Sequence, residues 1–127
     1  MPSHPQDVAD KDDLHRRIVT SHLRSDGTVN SSLFKRPPGR AWDSQLSFDL
    51  ARLASATETA TRGGRTGFGV VALVASVPRG LGYEVRHDPN PTQEPDNYAH
   101  CVVEGETDQT RAWLLAAALR IVLQPER

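Results

Sequence analysis

The chain has 127 residues, 37% hydrophobic and 24% charged, and its fifteen basic and sixteen acidic side chains leave a net charge of −1. That length supports one modest core, and the near-neutral balance argues against a nucleic-acid coat or a polybasic membrane binder, which need a strong positive field. No apolar run approaches the roughly 20 residues of a membrane span, and a single cysteine, Cys101, leaves no intrachain disulfide and no multi-cysteine zinc site.

Residues 1–11 are polar, hold two prolines and carry Asp7 and Asp10, so they do not read as a secretory signal. They read as a disordered tail ahead of a single α+β domain over 12–127. The basic residues are thirteen arginines against two lysines. With so much alanine, this is the composition of a GC-rich bacterial genome, and it suggests a cytoplasmic bacterial protein. Residues 14–23 place Leu14, Ile18, Val19 and Leu23 around a β-branched run and are read as a strand, with a turn at 25–28 and a second extended stretch from Val29.

The loop at 35–40 follows from Pro37 and Pro38, which fix φ and remove donors. Residues 46–50 alternate apolar and polar side chains, the pattern of a half-buried strand. A short helical turn is expected at 55–61, where the threonines disfavour a long helix. A glycine-rich, twice-basic loop spans 62–69, and the eight-residue apolar run 70–77 predicts a central strand. Strands at 83–87 and 98–104 flank a stiff loop at 88–96, which holds Pro89, Pro91 and Pro95. In the later strand Ala99, Cys101 and Val103 face one way, and His100, Val102 and Glu104 the other.

A final helix is predicted from Thr107 or Asp108 to about Leu123, ahead of Pro125. From Ala112 to Leu123 only Arg120 is charged. A helix apolar on almost every face must be buried on almost every face. The expected fold is therefore a small, mostly antiparallel sheet packed by a C-terminal helix. The outward side of that helix, Trp113, Leu115, Leu119 and Val122, becomes a candidate interface with a protein partner or a second copy.

Chemistry is less legible. The glycine loop could form a backbone nest beside Arg62 and Arg65, but it has no Gly-Lys-Ser/Thr and precedes an apolar run rather than opening a helix. Arg16 and Arg17, with Arg62 and Arg65, are the candidate contacts to phosphate or nucleic acid; aromatic interleaving is thin, so nucleic acid is not favoured as a partner. His87 and His100 fall in strands joined by the proline-rich loop. On one face they would form an acid–base pair, with Arg17 as a further catalytic candidate. No ligand pair has recognised metal spacing, so neither a metal nor a cofactor is expected, and no membrane partner. The segment from Gly27 to Phe34, with Glu58 later, has only a slight likeness to the layout of small ADP-ribosyltransferase toxins. It covers less than half the chain without their aromatic and glutamate signatures, and it assigns no family.

Two functions are therefore expected. The first is a non-enzymatic binding or accessory protein that self-associates or serves as a subunit of a larger complex. The second is a small enzyme on a phosphate-bearing substrate, a nuclease or transferase, using His100, His87 and Arg17.

Overall fold

In the computed structural model, residues 5–36, 41–89 and 97–126 are described. Six strands form one antiparallel sheet in the order β6-β7-β4-β1-β5-β8: β1 (Asp13–Ile18), β4 (Gln45–Leu50), β5 (Gly69–Val74), β6 (Glu84–His87), β7 (His100–Glu104) and β8 (Arg120–Leu123). A separate two-stranded ribbon pairs β2 (Lys35–Arg36) with β3 (Ala41–Trp42). Among the described residues three α-helices accompany them, α1 (Ala56–Thr61), α2 (Ser76–Gly80) and α3 (Gln109–Ala118), so the class is α+β.

Alternation along the strands divides the sheet into two faces. Leu14, Ile18, Leu46, Phe48, Leu50, Val71, Leu73, Cys101 and Val103 are all buried and belong to one core cluster. Ala112, Leu115 and Ala116 of α3, together with Leu33 and Phe34 from a 3₁₀ turn, close that core. On the other face α1 contacts β1, β5 and β8. Its start is set by a capping box: Ser55 Oγ accepts from Glu58 N at 3.1 Å, and the Glu58 carboxylate accepts from Ser55 N at 3.0 Å. The β4–β7 half of this face carries Ser47, Asp49 and His100, with Val102 buried beside them.

Several sequence expectations change. The last helix ends at Ala118, where Leu119 turns to extended backbone (ψ 143°), and residues 120–123 become edge strand β8 on β5. The β-branched pair Ile121–Val122 suits a pleated surface, and a twelve-residue helical wheel does not apply across that break. The helix is therefore not the C-terminal element. The apolar run 70–77 is a strand only to Val74; Ser76 to Gly80 turn into α2, with Pro78 in its first turn. After the turn at 25–28 the chain makes one bridge, Leu23 to Val29, and then the 3₁₀ turn rather than a second extended stretch.

Of the segment read as a tail, residues 1–4 lie outside the described residues, and 5–11 are held against the body. Val8 is buried, Arg79 bonds the Val8 carbonyl (2.6 Å) and Asp10 (2.7 Å), and Gln6 N donates to His87 Nδ1 at 2.9 Å. The proline loops at 37–40 and 90–96 lie outside the described residues.

Candidate functional site

The register places three polar side chains in a row across the second face. His15 on β1 is opposite Asp49 on β4, and Asp49 is opposite His100 on β7. Each alternates with core residues, so a strand with one face in the core must present them together on the other. They line a cleft of about 410 Å³ with Arg17, Ser47, Thr59, Arg62 and Asn97.

Asp49 is the hub. It is buried, and a buried carboxylate must be paired and hydrogen-bonded. Thr59 Oγ1 donates to it at 2.7 Å, Arg62 Nη1 at 2.6 Å and Asn97 Nδ2 at 2.9 Å. Asn97 in turn accepts from Ala99 N at 3.1 Å. One carboxylate thus ties α1, the glycine loop and the approach to β7 onto the sheet.

The cations beside it are differently committed. Arg62 is spent on Asp49. No hydrogen bond or ion pair among the described residues holds the Arg17 guanidinium, which lies over the Phe68 ring at 5.0 Å. Burial lowers its pKa below the ordinary value, and the nearby positive charges of Arg65 and Arg62 lower it further. His15 Nδ1 is buried without a hydrogen-bond partner among the described residues, and burial lowers the pKa of this imidazole as well. His100 places Nδ1 2.9 Å from the Asp88 carbonyl and Nε2 3.4 Å from Ser47 Oγ.

The structure sorts the candidate residues. His100, Arg17 and Arg62 come together in the cleft, and Arg65 acts on Arg17 through its charge from an exposed loop. His87 does not join them. It pairs with Cys101 in register, on the core face, bound to Gln6 N and to the Tyr98 carbonyl at 2.7 Å. A His87–His100 acid–base pair is therefore excluded, because neighbouring strand positions of opposite parity face opposite sides. Arg16 borders the same cleft, but its guanidinium is committed elsewhere: it sits over Phe34 and Phe48 and donates to the carbonyls of Ser47 and Leu33. Burial pulls its pKa down to about 10. Cys101 is inert, with its thiol pushed up to about 12 by burial.

Of the interface set, Trp113 is 56% exposed, whereas Leu115 is fully buried in this chain's own core, and Leu114 takes its place at the surface, 48% exposed. Leu119 lines an apolar groove of about 700 Å³ with Trp113, Val29 and Ile121. Val122 alternates with Ile121 and so lies on the opposite side of β8. Among the described residues no group of three or more His, Cys, Asp or Glu side chains is placed to hold a metal.

No protein-family model, curated protein or solved structure matches the chain. Sequence reasoning missed His15, Ser47, Asp49, Thr59 and Asn97. A usable signal was present in the alternating segment 46–50, whose polar positions Ser47 and Asp49 share one face.

Proposed function

We propose that this protein binds a small anionic group, a phosphate or a carboxylate, on the polar face of its sheet. The observation that carries the reading is Arg17, a cation at the cleft wall whose guanidinium forms no hydrogen bond or ion pair among the described residues, the nearby Asp49 carboxylate being bonded instead to Thr59, Arg62 and Asn97. A guanidinium offers a planar donor fork suited to oxyanions, and stacking on Phe68 holds that fork in place at low entropic cost. Arg62 stands at the same wall, paired with Asp49. A cytoplasmic bacterial setting, suggested by the arginine bias and the single free cysteine, completes the proposal.

Amide chemical shifts followed through titrations with inorganic phosphate, pyrophosphate and acetate test it. Saturable shifts at Arg17, Ser47 and His100, weakened at least tenfold in Arg17→Ala, are expected, and the order of the three affinities separates phosphate from carboxylate. Shifts that are absent, or unchanged in Arg17→Ala, overturn it.

A second reading, an accessory protein working through association, is favoured by the exposed Trp113 and Leu114 beside the apolar groove. It uses a different surface and is compatible with the first.

A further inference from the structure

Resting on the cleft as a binding site, the geometry points to a serine acyl-transfer centre in which Ser47 is the nucleophile, His100 its base and Asp88 the residue that positions the base. The three side chains come from β4, from β7 and from the residue after β6, so the sheet register brings them together.

The tautomer of His100 follows from its partners. A carbonyl oxygen only accepts, so Nδ1, at 2.9 Å from the Asp88 carbonyl, carries the proton. Nε2 of the neutral ring then keeps its lone pair, and it faces Ser47 Oγ at 3.4 Å. That separation is long for a hydrogen bond but within the range of unliganded nucleophile–base pairs. The Asp88 carboxylate stands 3.6 Å from Nδ1, where it stabilises the imidazolium that forms when the proton arrives. The ring is 19% exposed and Ser47 is exposed, so the pair opens to the cleft rather than to the core. Arg17 lines the same cleft and supplies positive charge for an oxyanion.

The chemistry balances with water as the only co-reactant. Ser47 Oγ attacks the carbonyl carbon of an ester while its proton passes to His100 Nε2. The tetrahedral intermediate collapses, the C–O bond to the alcohol breaks, and the departing alkoxide takes that proton. Water then attacks the acyl–Ser47 ester, gives a proton to Nε2 and releases the acid, and Nε2 returns the proton to Ser47 Oγ. The substrate class is a small ester bearing an anionic substituent for Arg17.

A fluorophosphonate probe tests this on the whole chain, since serine oxygen displaces fluoride from phosphorus with the same base assistance. Mass spectrometry of peptides is expected to place the adduct on Ser47 and to find none there in Ser47→Ala. Modification slows at least tenfold in His100→Gln, which keeps a polar side chain without the basic nitrogen. Asp88→Asn also slows modification while leaving the half-protecting phosphate concentration unchanged, a split that a folding defect does not produce. Thermal melting of each variant confirms that it is folded. No adduct on Ser47, or modification of folded His100→Gln at the wild-type rate, overturns the centre. Phosphate binding without an adduct removes the centre and keeps the anion site. An adduct that phosphate neither protects nor precedes by binding supports the centre and removes the anion reading.

Discussion

At the scale of single residues, Asp49 carries the most consequence. Its carboxylate is the acceptor for Thr59, Arg62 and Asn97. Asp49→Ala leaves the half-buried Arg62 cation and two amide or hydroxyl donors without it. Breaking such a pair from one side costs about 3 kcal/mol or more, against about 1 kcal/mol for Thr59→Val, which removes one neutral donor. Urea denaturation of the two variants should reproduce that ranking.

Two histidines set the response to mild acid. His22 Nδ1 accepts from Val19 N at 3.1 Å, which requires an unprotonated nitrogen, and burial followed by the charge of Arg16 lowers its pKa from 6.5. Burial lowers that of His15 as well. A histidine with a lowered folded pKa binds fewer protons folded than unfolded, so its contribution is complete above 6.5 and is lost as the pH falls through the folded value. Asp26, Glu58 and Glu104 are held below their ordinary carboxylate range and act at lower pH. The urea midpoint is expected to fall between pH 7.5 and about 5, and His15→Asn with His22→Asn together to flatten that slope. An unchanged slope refutes this assignment.

At the scale of elements, the junction between α3 and β8 decides the edge of the sheet. Asp108 caps α3 by accepting from Arg111 N at 2.8 Å, and Asp108→Ala is expected to cost about 1 kcal/mol. Gly69 is tighter. A Cβ there meets the Leu123 carbonyl at 2.4 Å and Pro125 N at 2.5 Å, backbone atoms that cannot swing aside as a side chain does. Gly69→Ala must push β8 off β5, at a cost of about 1–3 kcal/mol. Hydrogen exchange should show early loss of protection in Arg120–Leu123 while β1 and β4 stay protected. Equal loss throughout the sheet counts against a local release.

For the whole molecule, the question is which surface works. The cleft lies on the sheet face that also carries α1, and the apolar groove lies beside α3 on the opposite side. The two proposals therefore separate experimentally. Under the association reading, light scattering at high micromolar concentration gives a mass above the 14.0 kDa of one chain, and Trp113→Glu restores the single-chain value without changing the phosphate titration. A constant 14.0 kDa at every concentration removes self-association.

Local patterning determined much of this protein. The alternation in 46–50 and the apolar run from Val70 marked β4 and β5, and the parity of His100 and Cys101 was legible because side chains alternate with period two in any strand. What a strand pairs with is not local. Only the register β7-β4-β1 set His100, Asp49 and His15 side by side, and only the arrival of α1 and Asn97 turned Asp49 from a surface carboxylate into a buried hub. Arg16 shows the same limit, since a basic residue in β1 reads as solvent-facing until the rings of Phe34 and Phe48 close on it. The last stretch was ambiguous for a physical reason as well. Residues 119–123 are apolar enough for helix or strand, and the free edge of β5, available only in the folded sheet, drew them into β8.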